Sequence, residues 1–287
     1  MEVKLRGARL KSLVASISPE FLTRILYYKN FKKSLNLKNP VLLNEKIQYL
    51  KLKMYSDNPV ITQCVDKYRV REYLKKFNLE GLCPKLYGAY DNADEIEWNK
   101  LPKGFVIKCN HGSGMNIICP DKDTLDIEEA KKTLNKWMKS DFWKIYGETH
   151  YKNVQKKIII EELLDPNILT YKFYCFNGQI KVSYVSLNGE NGEKEKYIDF
   201  FDPEWNWIPV KLWPHEHAPI HPQKPKGYDD MCNLAKIFSR EFPFVRVDLY
   251  NVNGTIYFSE LTFVPTGGMM RLSPGNVNEE WGKWLKL

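Results

Sequence analysis

Four groups of residues in this 287-residue chain have side chains suited to chemistry. The first is Lys108 with the loop His111-Gly112-Ser113-Gly114. A strand-like run, Gly104-Phe105-Val106-Ile107-Lys108-Cys109, leads into that loop. Glycine lets backbone N–H groups approach an anion, serine adds a donor and lysine a point charge, so the loop suits phosphate. It matches neither the GxxxxGK[ST] nor the GxGxxG order, and a plain hairpin turn would read the same way. The second group is Glu161-Glu162, after the apolar residues 158–160. Two acids there suit a ribose hydroxyl or an adenine amine, and equally an ordinary solvated strand end.

The third group is the most specific. Arg246 and Asp248 are two residues apart, as are Glu260 and Thr262, so each pair shares a strand face. A hairpin turning at Asn253-Gly254 brings Asp248 near Glu260. Two neighbouring carboxylates need a cation, and hard oxygen ligands near phosphates favour Mg²⁺. Arg246 suits negative charge developing on a substrate. The competing reading is a surface hairpin with cross-strand ion pairs, its apolar residues Val245, Val247, Leu249, Tyr257 and Leu261 facing the core. The fourth group is His215, Glu216, His217 and His221. Its residue types suit a metal, but prolines surround them and neither a helix nor HExxH is present. No Gly-x-Ser-x-Gly elbow and no Cys-His pairing stands out, so acyl-enzyme chemistry is unsupported.

These groups need elements to hold them. Pro19–Tyr28 has helical spacing, Asn44 reads as the cap of a helix over 45–52, and a third helix runs from Asp66 through Leu74. Tyr87–Tyr90, Gly104–Cys109, Asn116–Cys119 and Lys157–Leu164 read as strands, and Asp126–Ser140 as an amphipathic helix. Tyr171–Val182 reads as a hairpin turning at Asn177-Gly178, residues 201–228 as a long loop and Asp229–Arg240 as a helix. Helices first, then strands mixed with helices, indicate an α/β or α+β protein of two lobes.

Composition narrows the class. Apolar residues make up 43%, charged residues 27% and aromatics 14%, which excludes disordered and fibrous chains. No apolar run is long enough for a membrane helix, and the start has no leader-like core. The six cysteines form no CxxC or zinc spacing and read as reduced packing residues. Lys and Arg number 43 against 35 Asp and Glu, a net charge of +8 that suits an anionic ligand. The basic residues follow no nucleic-acid motif.

Taken together, the segments 43–51, 66–72, 105–114, 159–162, 171–178, 244–250 and 260–263 resemble the ATP-grasp superfamily. Within it they look like the TupA-like branch of teichuronopeptide, capsule and surface-polysaccharide clusters. The resemblance implies an ATP-grasp fold with the nucleotide bound between two lobes. It implies a helical N-terminal region over 1–100, a small lobe with the glycine loop over 101–163 and a large lobe with a Mg-binding hairpin over 164–287. It also implies roles. Lys67, Lys108 and Lys172 face the nucleotide, and His111, Gly112, Ser113 and Gly114 close over its phosphates. Glu161, Glu162 and Leu163 read adenine and ribose. Arg246 steadies an acyl-phosphate, acting with Lys108 in catalysis, and Asp248 and Glu260 hold Mg²⁺. Thr262 replaces the asparagine many relatives carry as a further ligand.

The implied activity is an ADP-forming acid–amine ligase. It joins a uronic acid carboxylate of a bacterial surface polysaccharide, a sugar nucleotide or a lipid-linked glycan to an amino acid or amine. The implied place is the cytoplasm, with at most peripheral contact at the inner membrane, and no nucleic-acid partner. The competing activities are a capsule or O-antigen glycosyltransferase, for which Asp121-Lys122-Asp123 fits the letters DxD, and a sugar kinase using the same ATP site. Trp205, Trp207 and Trp213 either help dock a lipid-linked glycan or pack a loop.

Overall fold

The computed structural model describes residues 2–165, 168–188 and 195–287, with the side chains of the first helix from residue 10 onward. In chain order the elements are helices α1 (Glu2–Ile17), α2 (Pro19–Phe31), α3 (Leu43–Tyr49), α4 (Pro59–Val65) and α5 (Val70–Lys75), then strands β1 (Leu86–Tyr90), β2 (Phe105–Cys109) and β3 (Asn116–Cys119). Helix α6 (Ile127–Met138) and strands β4 (Ile158–Glu162), β5 (Leu169–Phe176), β6 (Gln179–Leu187), β7 (Tyr197–Phe201), β8 (Trp207–Ile208) and β9 (Lys211–Leu212) follow. Helix α7 (Tyr228–Ser239), strands β10 (Phe244–Val252), β11 (Thr255–Thr262) and β12 (Leu272–Ser273) and helix α8 (Val277–Trp284) complete the chain. Among the described residues no helix is long and apolar enough to cross a membrane.

The chain divides into two compact units. The first comprises residues 1–22 and 55–167, the second residues 23–54 and 168–287. The first unit is built on a four-stranded antiparallel sheet of order β1-β4-β2-β3. In β2 burial alternates: Phe105, Ile107 and Cys109 are buried, and Val106 and Lys108 lie on the other face. The buried set packs with Ile158, Ile160, Ala130 and Leu134 into one core, the period-2 and period-3.6 faces meeting as their patterns require. The Asp126 side chain accepts from Glu129 N at 3.0 Å and caps α6.

The second unit is built on a six-stranded sheet of order β11-β10-β5-β6-β7-β8. Two Asn-Gly turns set its hairpins. Asn177 and Gly178 have φ of 48° and 76°, and Asn253 and Gly254 have φ of 52° and 96°. This left-handed backbone is what two-residue hairpins demand. Helix α7 covers one sheet face with Met231, Ala235 and Phe238, all fully buried.

Some expectations need correction. Asn44 is not a cap: α3 starts at Leu43, and the Glu45 carboxylate receives the Leu42 and Val41 N–H groups at 3.1 and 3.0 Å. Asn44 is instead buried and donates to the Met270 carbonyl at 2.7 Å. The helix expected from Asp66 starts at Val70, because the Asp66 carboxylate holds the Tyr68 and Arg69 N–H groups in a preceding turn. The stretch 201–228 is not loop throughout, since it contains β8 and β9. Tyr257 is only half-buried and Phe258 takes its core position. The cause is a bulge: Asp248 pairs with Glu260 but Leu249 pairs with Phe258, so one extra residue reverses the side-chain parity of β11.

Candidate functional site

In the first unit the polar residues collect around Lys108 and the loop that follows β2. Lys108 is opposite Ile159, and Val106 is opposite Glu161, so Lys108 and Glu161 share a sheet face two positions apart. Lys108 Nζ donates to Glu161 Oε2 at 2.7 Å, and Arg71 Nη2 donates to Glu161 Oε1 at 2.6 Å. Burial pushes the Glu161 carboxyl up, but Lys108 and then Arg71 outweigh it, and its pKa lies below the ordinary value. Glu162 and Leu163 are half-buried, and the Glu162 N–H donates to the Lys85 carbonyl at 2.8 Å.

The loop is anchored at its base and exposed at its tip. Asn110 is fully buried; its amide donates to Asp66 Oδ1 at 2.7 Å and to the Gln155 carbonyl at 2.8 Å, and its oxygen accepts from Lys157 N. His111 is buried and Nε2 donates to the Trp137 carbonyl at 3.2 Å, which leaves Nδ1 as an acceptor without a protein partner. Burial lowers the His111 pKa, so the ring is neutral. Lys67 Nζ donates to the Gly112 carbonyl at 2.6 Å. A Cβ on Gly112 would lie 2.8 Å from Phe142 Cγ, while Ser113 and Gly114 are exposed, Gly114 at φ of 73°. His111 is thus the inward anchor of the loop, and Ser113 and Gly114 are its outward tip.

In the second unit the register builds the site. Arg246 pairs with Tyr174 and Thr262, Asp248 with Lys172 and Glu260, and Lys172 with Tyr184. Directly paired residues share a face, so all seven lie on one face of the sheet. Arg246 holds Asp248 at two points, Nε to Oδ1 at 2.7 Å and Nη2 to Oδ2 at 2.6 Å. The same Nη2 reaches Thr262 Oγ1 at 3.0 Å and Glu260 Oε1 at 3.3 Å, and Nη1 reaches Tyr184 Oη at 3.3 Å. Three oxygens from Asp248, Glu260 and Thr262 therefore converge on a single cationic nitrogen. This donor set, two carboxylates and a hydroxyl, fits a hard divalent cation. Lys172 Nζ donates to Glu195 Oε1 at 2.9 Å and stands 5.4 Å from the centre of the Tyr184 ring.

The remaining candidates fall elsewhere. Among the described residues no group of three or more His, Cys, Asp or Glu is arranged to hold a metal, and this includes the histidine-rich stretch. There, His217 Nδ1 and His221 Nδ1 meet the two oxygens of the fully buried Asp199 at 3.1 and 3.0 Å, and Trp207 Nε1 donates to Oδ1 at 3.3 Å. Asp121 accepts from Asp123 N and pairs with Lys103, so it caps a turn. Trp205 stacks on Phe201 with centroids 4.1 Å apart, a packing role, whereas Trp213 is exposed beneath Arg271. The six cysteines are free.

Sequence reasoning missed Arg71, Tyr184 and Glu195. The signal available for Arg71 was the charge of Glu161: a carboxylate at the end of an apolar strand becomes buried and requires cations.

The family model described as TupA-like ATPgrasp matches residues 45–286. No curated protein matches the chain. Similar solved structures include a D-alanine–D-alanine ligase from Bacillus anthracis in complex with ATP, at 15% identity and TM-score 0.42, over 71% of this chain and 54% of that one. An L-amino acid ligase from Bacillus licheniformis is 14% identical with TM-score 0.42, over 78% of this chain and 49% of that one. An N5-carboxyaminoimidazole ribonucleotide synthetase in complex with ADP is 12% identical with TM-score 0.45, over 85% and 55%. The chain spans about half the length of these proteins.

Proposed function

The chain belongs to the TupA-like ATP-grasp family, and from that premise we propose that it is an ATP-dependent carboxylate–amine ligase. Its carboxylate is a uronic acid of a bacterial surface polysaccharide, carried as polymer, sugar nucleotide or lipid-linked glycan. Its amine is an amino acid or a small amine. The products are an amide, ADP and phosphate.

The observation that carries this reading is the convergence of Asp248, Glu260 and Thr262 oxygens on Arg246 Nη2. Such a site is made for positive charge, and phosphoryl chemistry needs positive charge at the transferred group. Asp248, Glu260 and Thr262 would hold Mg²⁺, which supplies charge neutralisation at phosphate oxygens. Arg246 would then turn its guanidinium to the acyl-phosphate and the tetrahedral species that follows, as a planar two-point donor. Lys108 and Lys172 bring cationic ammonium groups to the nucleotide phosphates. Ser113 and Gly114 are exposed residues, and their backbone N–H groups suit the same oxygens. No enzyme nucleophile is required, because positioning and charge neutralisation lower the barrier. The neutral, buried His111 holds the loop and takes no proton in this scheme.

The test is incubation of the purified protein with Mg-ATP, pooled amino acids and a panel of uronic-acid glycans, with nucleotides resolved by chromatography. The reading requires amine-dependent ADP and a matching mass gain on the glycan. Amine-independent ADP with a stable phosphorylated glycan would replace it with a kinase. Intact ATP with release of UDP from an added sugar nucleotide would replace it with a glycosyltransferase.

A further inference from the structure

Glu195, shortly before β7 in the second unit, has φ of 48°, a left-handed backbone that glutamate rarely adopts. The conformation is held from both sides. The Glu195 N–H donates to Asn188 Oδ1 at 3.0 Å, and His215 Nδ1 donates to the Glu195 carbonyl at 2.6 Å. Strain that the surroundings hold in place marks a position where the side chain's aim matters.

What the carboxylate meets is a primary ammonium. Lys172 Nζ donates to Glu195 Oε1 at 2.9 Å. Lys172 pairs with Asp248 on the sheet face that carries Arg246, and its side chain is mostly buried, whereas that of Glu195 is 52% exposed. Partial burial pushes the Glu195 carboxyl up, but Lys172, and after it Arg246, outweighs this and holds its pKa below the ordinary value. Tyr184 on β6 faces the pair as a neutral phenol, its own pKa raised by burial.

The proposed ligation removes this partner and brings another. When Lys172 turns to the nucleotide phosphates, the strongest influence that lowers the Glu195 pKa goes with it. The amine substrate is also an ammonium at neutral pH, and it has no lone pair for attack until it loses a proton. Asp248 and Glu260, the other carboxylates of this face named above, are engaged by Arg246. A half-exposed carboxylate that already binds one ammonium has the chemistry to receive the second.

We propose, resting on the ligase reading, that Glu195 is the general base that deprotonates the amine substrate. The ammonium gives one proton to a Glu195 oxygen, and the lone pair so freed forms the C–N bond at the acyl-phosphate carbon. The C–O bond to phosphate then breaks with its electron pair on phosphate. Phosphate carries away the second proton, and Glu195 returns the first to water.

The test compares pooled amino acids with hydroxylamine, an amine already neutral at neutral pH, using the full chain, Mg-ATP and the uronic-acid glycans. In Glu195→Gln, amide formation should fall about a hundredfold, while hydroxamate formation stays within about twofold of the wild type. Glu195→Asp, which keeps the carboxylate, should recover part of the amide rate, and the KM for ATP should rise in neither variant. Equal losses with both nucleophiles, or a raised KM for ATP at unchanged kcat, would make Glu195 a holder of Lys172 and overturn the proposal. Full amide formation by Glu195→Gln would overturn it as well. If the wild type forms neither ADP nor hydroxamate, the ligase reading fails and this proposal with it. Failure of the proposal alone leaves both products in the wild type.

Discussion

Arg246 and Asp248, two residues apart on β10, form a buried two-point ion pair at 2.6 and 2.7 Å. Both residues are on the sheet face that carries Lys172, Glu260 and Thr262. Removing one partner leaves the other charge buried and alone, so Arg246→Ala should cost about 3–5 kcal/mol of stability by urea unfolding. Arg246→Ala/Asp248→Ala should be more stable than either single variant. Arg246→Lys keeps the charge but loses the planar fork, and in the proposed reaction the amide-forming kcat should fall by about a hundredfold. Retention of full activity in Arg246→Lys would remove Arg246 from the proposed mechanism.

Glu260 is the more exposed of the two carboxylates, and its Oε1 lies 3.3 Å from Arg246 Nη2. Glu260→Gln should therefore fold normally. If it holds Mg²⁺ as proposed, the Mg²⁺ concentration for half-maximal ADP formation should rise about tenfold or more. An unchanged Mg²⁺ dependence would show that Glu260 is not a ligand.

The hairpin chemistry was readable in the sequence because it is local. An Asn-Gly turn at 253–254 and a spacing of two residues suffice to set Asp248 against Glu260, and the observed register does so. Lys108 and its loop were readable for the same reason. The bulge beside Asp248 was not, because a single extra residue leaves the alternation of apolar residues almost unaltered. Nor was the partnership of Arg71 with Glu161, which spans 90 positions and depends on how α5 meets β4. Asn44 and Asp66 were misplaced because residues of these types cap helices and hold turns alike, and only tertiary contacts decide which.

Glu161 gives a pH signature. Its folded pKa lies below the ordinary glutamate value, since Lys108 and Arg71 overcome the upward push of burial. A lowered carboxylate pKa contributes stability that is present above the unfolded value and lost as pH falls through the folded value. The urea midpoint of the wild type should therefore drop as pH falls below about 5 and on through the folded value. In Glu161→Gln the stability should already be reduced at neutral pH, by about 3–5 kcal/mol, and part of that acid slope should disappear. An unchanged slope would mean that other carboxylates carry it.

Two glycines of the loop are required for different reasons. A Cβ on Gly112 meets the Phe142 ring at 2.8 Å, whereas Gly114 has open space but φ of 73°. Gly114→Ala should cost about 1–2 kcal/mol through backbone strain, and no change at Phe142 should recover it. Gly112→Ala should be partly rescued by Phe142→Ala, which clears the space. Additive effects in the Gly112/Phe142 cycle would contradict the packing account.

The cluster around Asp199 should act on stability alone. Asp199 pairs with Val185, one position on from the Phe200–Tyr184 pair, so its side chain is on the sheet face opposite Tyr184 and Arg246. Its two oxygens satisfy His217 Nδ1, His221 Nδ1 and Trp207 Nε1. Asp199→Ala strips a partner from all three donors at once and should cost about 2–5 kcal/mol. The KM for ATP and the kcat of the folded fraction should not change, because the sheet separates this cluster from the Arg246 face. His217→Gln should be milder than Asp199→Ala, since it removes one ring and leaves the carboxylate with two donors. A fall in kcat for Asp199→Ala without loss of stability would assign the histidines to the reaction.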